Sequence, residues 1–198
     1  MKTEETLRRE TVSKVSHQHM GAAFAANSTD QAAAITDPNP VENRHAAPSP
    51  VQATVISLEQ ALPIKAFGID MRVLLTTEAT GGAISVLMAW HKPGEGPPDH
   101  VHFNQEEMFF VVEGSYELTA DGETRTAGPG TIVFIPRNVV HRFKNVGDTT
   151  ACMLDWSLPG GQDHYFKTIS KLAAGYGFSG ERVMEISKEF DTNFPAAH

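Results

Sequence analysis

From Val51 onward the chain breaks into short strand-like runs separated by turn residues, and this rhythm constrains the fold more than any other feature. The runs are Thr54–Ser57, Asp70–Thr77, Ala83–His91, Glu107–Glu113, Ser115–Ala120, Glu123–Thr126, Thr131–Ile135, Val140–Asn145 and Thr150–Leu158. Their spacing predicts an all-β sandwich or barrel, with a brief helical turn over Leu58–Leu62 between the first two. Asp121-Gly122 is the strongest hairpin signal, because both central residues of a type I′ turn need positive φ. Ser115–Ala120 and Glu123–Thr126 should therefore pair antiparallel.

The flanks have a different texture. Residues 1–50 lack sustained periodicity, are rich in Ala, Asn, Asp, Thr and Pro, and bury too little to offset chain entropy. They are expected to form a flexible N-terminal arm, with at most a marginal helix near Glu4–Val15 and with His17, His19 and His45 solvated. After Pro159-Gly160-Gly161 the apolar residues Tyr165, Phe166, Ile169, Leu172 and Ala173 recur at helical spacing. A second short helix should begin after Ser179 as N-cap, with Val183, Ile186 and Phe190 on one side. The expected organisation is an arm over 1–50, a β-domain over 51–166 and a C-terminal helical extension over 167–198.

A formal charge of -8 and a pI near 5.5 argue against nucleic acid or an anionic membrane as the main partner, since phosphate rewards Lys and Arg. A small molecule fits better. No apolar run approaches the roughly 18 residues of a membrane span. Arg8-Arg9 precedes a small apolar patch, Met20–Ala26, but Glu10, Lys14, His17 and His19 interrupt the segment that an export leader would keep apolar, so a cytoplasmic location is expected. The single cysteine, Cys152, excludes an internal disulfide and sits among Ala151, Met153 and Leu154 as a small buried hydrophobe.

The chemistry concentrates in His100, His102, Glu107 and His141. Side chains two apart on a strand share a face, so His100 and His102 point the same way. A bend at Phe103-Asn104-Gln105 lets Glu107 join them. In Val140–Asn145, His141 and Phe143 take one face while Arg142 and Lys144 take the other, which turns His141 inward. Three imidazoles and a carboxylate buried together without a cation would leave polar groups unmatched at about 1–3 kcal/mol each. A divalent transition metal removes that cost. His141 by itself would read as an ordinary core histidine, and Glu106, next to Glu107 on the opposite face, could compete as the carboxylate ligand.

Gly94-x5-His100-x-His102-x4-Glu107-x6-Gly114 and Gly130-x5-Pro136-x-Asn138-x2-His141-x3-Asn145 resemble the two signatures of the cupin superfamily. Asn138 stands where that family usually has glycine, and Asn tolerates the left-handed backbone better than other residues. The resemblance covers about Val51 to Phe166 and implies a single jelly-roll β-barrel. It also implies one divalent ion (iron, manganese, nickel, cobalt or zinc) held by His100, His102, Glu107 and His141, and a homodimer.

Apolar residues near the ligands, among them Phe103, Ile132, Phe134, Leu154 and Trp156, would give a pocket for an aromatic or otherwise apolar molecule. Phe109, Val111 and Phe143, on the ligand face of their strands, are the candidate wall residues. The Pro159-Gly-Gly161 turn with its following helix is similar to cupins of the quercetin-dioxygenase-like group. That similarity implies a metal-dependent dioxygenase acting on an aromatic or enolisable compound, with Glu107 as ligand and proton acceptor. Two alternatives stand beside it: a non-redox isomerase, cyclase or lyase acting on a sugar or polyketide, and a non-catalytic binding protein. His91 is expected to face solvent at a strand end, with hydrogen bonds behind the ligands as the alternative. Asp155 either orients a ligand histidine or points outward, and His164 and Tyr165 pack at a helix start or reach over the pocket.

Overall fold

The structure, a computed structural model, describes residues 51–175 and 178–195. The expectations for residues 1–50, including the tail histidines, lie outside the described residues. Nine strands follow in order: β1 (Leu62–Ala66), β2 (Ile69–Leu75), β3 (Ser85–His91), β4 (Glu106–Glu113), β5 (Tyr116–Ala120), β6 (Glu123–Ala127), β7 (Ile132–Ile135), β8 (His141–Asn145) and β9 (Ala151–Leu158). Helices α1 (Gln162–Ala174) and α2 (Gly180–Glu189) complete the described chain. The strands form a six-stranded sheet in the order β1-β2-β3-β9-β4-β7 and a three-stranded sheet in the order β6-β5-β8. Together they make the all-β architecture that the strand spacing predicts, in the jelly-roll form that the cupin resemblance implies.

Eight of the nine expected strands appear with ends shifted by a few residues, and Thr54–Ser57 does not. That segment lies exposed and unpaired, and β-branched residues alone do not make a strand when no neighbour takes the backbone groups. The first strand is Leu62–Ala66 instead, paired with β2 across Phe67-Gly68. Both of those residues have positive φ, 55° and 83°, which is the requirement of a type I′ turn. The expected turn just before this strand forms, with the amides of Gln60 and Ala61 donating to the Ser57 carbonyl at 3.1 Å.

The Asp121-Gly122 hairpin also forms as expected, with φ of 51° and 77° and β5 paired to β6 throughout. Asn138 adopts φ 66°, so the left-handed turn survives the replacement of glycine. Ser179 caps α2, its hydroxyl accepting from the Arg182 amide at 3.2 Å.

Two clusters make the core. Phe109, Val111, Tyr116, Phe143 and Met153 fill the space between the two sheets. Met71, Val73, Leu87 and Ala89, on the inner side of β2 and β3, pack under Tyr165 and Ile169 of α1 and Ile186 of α2. A helix of ten residues is marginal in water, so α2 depends on this docking. Cys152 is buried and unpaired, and burial pushes its thiol up to about 11, as befits a small core hydrophobe. Among the described residues no helix is long and apolar enough to cross a membrane.

Candidate metal centre

Each of the four expected ligands reaches the centre by its own local logic. His141 opens β8, whose burial alternates so that His141, Phe143 and Asn145 face inward. His100 lies on the loop after β3 and forms an isolated antiparallel bridge with His141, exchanging two backbone hydrogen bonds of 2.9 Å. His102 follows two residues later, and Glu107 points inward from β4. All four are buried, and one ligand atom from each lies within 4.8 Å of the others. The Nε2 atoms of His141, His102 and His100 stand 2.7, 3.4 and 3.9 Å from one Glu107 oxygen.

The opposite ring edges explain why these nitrogens are available. Nδ1–H donates to the carbonyl of Pro98 in His100 (2.9 Å), of Asp191 in His102 (2.8 Å) and of Val139 in His141 (3.0 Å). A carbonyl only accepts, so each Nδ1 carries a proton, and each ring in its neutral form turns its Nε2 lone pair inward. His102 Nε2 is buried with no hydrogen-bond partner. Three lone pairs and a carboxylate aimed at one point repel unless a cation lies between them. The donor set therefore fits a divalent transition metal on the grounds of this structure.

The electrostatics agree. Burial works upward on the Glu107 carboxyl, but hydrogen bonding to His100, His102 and His141 outweighs it and holds the group well below the usual carboxylate range. At His102 burial works downward, yet Glu107 and the Asp191 carbonyl outweigh it and raise the imidazole. Burial prevails at His100, which is lowered. The carboxylate thus draws positive charge into the cluster.

Beside the cluster opens a cavity of about 990 Å³. His100, His102 and Glu107 form one part of its wall, with Phe143, Met71, Ala89 and Met153 from the sheets, Tyr165 and Phe166 from α1, Val183 and Met184 from α2, and Phe194 near the C-terminus. Of the three expected wall residues, Phe143 lines the cavity. Phe109 and Val111 are buried in the core cluster behind it and are absent from the lining. Ile132 and Phe134 were expected near the ligands, but they are 59% and 56% exposed on the outer face of β7. Phe103 is exposed as well, and Leu154 and Trp156 lie outward on β9. A buried edge of alternating strands shows which face is inner only once its neighbours are known.

His91 departs most from expectation. It does not face solvent: it is 2% exposed, its Nδ1 lies 3.0 Å from the Tyr116 hydroxyl, and its ring packs edge-on against Phe143. Burial pushes its imidazole down to about 4, leaving it neutral on the cavity wall. Asp155 also points inward and lines the cavity, its Oδ1 without a hydrogen-bond partner, and burial followed by the nearby Glu107 charge raises its carboxyl well above the usual range. Glu106 lies away from the centre and pairs with Arg137 at 2.8 Å. His164 bonds Glu78, and the buried Tyr165 hydroxyl lies 2.9 Å from the Ser187 hydroxyl while its ring faces the cavity. The apolar side of α2 that supplies Val183 to the wall was legible from its spacing, whereas the contribution of Asp191 carried no signal in the sequence, because it acts across 89 positions of chain.

Comparison with known proteins gives a consistent picture. The family described as Cupin domain matches residues 91–157. Polyketide synthase CurC of Streptomyces cyaneus is 37% identical over 101 residues, spanning 50% of this chain and 66% of that protein. Protein SchB of Streptomyces halstedii is 36% identical over 102 residues, spanning 50% of this chain and 73% of that one. Quercetin 2,3-dioxygenase of Bacillus subtilis is 26% identical over 110 residues, spanning 56% of this chain and 32% of that enzyme.

Proposed function

The chain belongs to the cupin family, and from that premise we propose that it is a metal-dependent enzyme acting on a small aromatic or enolisable oxygen-bearing compound, with dioxygenation as its reaction. One observation carries the reading. Three inward Nε2 lone pairs and the Glu107 carboxylate meet at the wall of a cavity of about 990 Å³ whose other walls are mostly apolar. Such walls favour a flat apolar substrate over a sugar, whose hydroxyls would need many more partners.

His100, His102, Glu107 and His141 would hold one divalent ion, iron, manganese, nickel, cobalt or zinc. When bound, it supplies Lewis-acid polarisation and open coordination positions for substrate oxygen and dioxygen. The chain's own residues do the rest. Glu107 would accept the proton of a substrate hydroxyl as well as act as ligand, as the resemblance implies. Phe143, Met153 and Phe166 line the cavity and would exclude water around a bound compound.

A second reading has its own support. Asp155, whose carboxyl burial raises well above the usual range, faces the same cavity as Glu107, whose carboxyl is held well below it, and two carboxyls pushed apart in this way suit non-redox cyclisation or isomerisation of a polyketide. The similarity to polyketide synthase CurC points the same way. Anaerobic loading with each metal, followed by phenolic and polyketide panels in an oxygen electrode, tests both. Substrate-dependent oxygen uptake supports dioxygenation, whereas product formed with oxygen excluded selects cyclisation. Binding without turnover would leave a carrier. The resemblance also implies a homodimer.

A further inference from the structure

The segment after α2 takes no part in the reading above, yet it reaches the metal centre. Asp191 offers its carbonyl to His102 Nδ1–H at 2.8 Å. Its carboxylate accepts the backbone amides of Phe103 and Asn104 at 3.1 and 2.6 Å, and the Asn104 side-chain amide at 3.1 Å. Asn193 and Val101 exchange two backbone hydrogen bonds of 3.0 and 2.8 Å, an isolated bridge on the flank of the ligand loop. Phe194 and Pro195 then line the cavity, the Phe194 ring 6.5 Å from that of His100.

The three ligand histidines are not oriented alike. His100 and His141 each donate to a carbonyl two residues earlier in their own loops, so local backbone sets those rings. His102 depends on a carbonyl 89 positions away. That single hydrogen bond ties the ring to the segment Asp191–Pro195. That segment also lies outside the stretch matched by the cupin domain.

We propose that Asp191–Pro195 is a clamp in which Asp191 positions His102 for the ion, so that ion binding and closure of the C-terminal segment over the cavity strengthen each other. This rests on the metal reading given above. Coupling of two equilibria is reciprocal, so an ion that prefers the aimed His102 must also hold the clamp shut. Groups that orient a metal-bound histidine change affinity by about 10- to 100-fold when lost.

The test uses the full chain and cobalt(II), whose visible absorption reports its ligands. Wild-type protein should bind cobalt, and saturation should slow hydrogen exchange at the Val101 and Asn193 amides about tenfold or more. Asp191→Gly keeps the positive φ of 59° and the carbonyl but removes the carboxylate anchors, and should weaken cobalt binding about 10-fold or more with an altered spectrum. Asp191→Asn tolerates the same backbone but keeps one acceptor oxygen in place of two, and should restore part of the affinity and move the spectrum back toward wild type. Equal affinity and spectra in wild type and Asp191→Gly would overturn the clamp while leaving the metal reading intact. Unchanged exchange at Val101 and Asn193 would overturn it even if the glycine variant failed to fold. Wild-type protein that takes up no cobalt would overturn both.

Discussion

At the residue scale, His91 is a neutral imidazole enclosed by aromatic rings, and its enclosure has a pH signature. Burial lowers its folded-state pKa from the ordinary 6.5 to about 4. Between those values the unfolded chain takes up a proton that the folded chain refuses, so stability falls as pH drops through that window and levels off below about 4. The contribution lost is roughly 3 kcal/mol. Urea denaturation of wild type and His91→Gln at pH 7 and pH 4.5 should show a smaller decline in the variant, and parallel declines would refute the assignment. The four ligands give a second residue-scale prediction. An ion at about 100 times its dissociation constant adds about 2.7 kcal/mol, some 5–10 °C in Tm for a chain of this size. Alanine at His100, His102, Glu107 or His141 should abolish that rise. Glu106→Ala should keep it, since Glu106 spends its charge on the half-exposed Arg137 at a cost of about 0–1 kcal/mol. A variant at His102 that retained the full metal-induced shift would break the ligand assignment.

At the scale of elements, the loop from β3 to the first two ligands runs along β8. Gly94 N donates to Asn145 O, Asn145 N donates to Glu95 O, and the His100–His141 bridge completes the ladder, with backbone bonds of 2.9 Å throughout. Gly96 sits where the two backbones press together, and a Cβ there would run into the Phe143 carbonyl. Gly96→Ala should therefore cost roughly 3 kcal/mol and also impair ion binding, because the loop that moves carries His100. Chemical denaturation together with metal titration checks both effects, and a stable variant with weakened binding would separate seating from stability. The same loop shows what the sequence made legible. Side-chain alternation in β8 and the spacing of His100, His102 and Glu107 were visible because they are local. β1 was not, since Pro63 and an atypical Phe67-Gly68 turn hide a strand that only its pairing with β2 defines. Nor was the buried state of His91, which comes from Tyr116 and Phe143 on the facing sheet. The apolar sides of α1 and α2 were legible from their helical spacing, but which of those residues wall the cavity depends on how the helices dock.

At the scale of the whole molecule, the outer side of the six-stranded sheet carries two apolar rows in register. Val86, Trp156, Met108 and Phe134 make one, and Met88, Leu154, Phe110 and Ile132 make the other. None of these eight side chains is buried among the described residues, and a contiguous apolar face of this kind marks an association surface. A second copy of the chain presents the same rows, so two sheets facing each other about a two-fold axis would cover both at once. The homodimer is then the expected state in sedimentation at micromolar concentration. Phe134→Glu and Trp156→Glu place charges in that face and should shift the protein to monomer. Glu107 points from the other side of this sheet, and the three histidines come from β8 of the facing sheet and the loop beside it, so the monomeric variants should still take up one ion per chain. That independence is what distinguishes a true interface from general damage. Loss of dimer together with loss of metal would mean the substitutions had disturbed the fold, and a wild type that sediments as a monomer at every concentration would rule out the pairing.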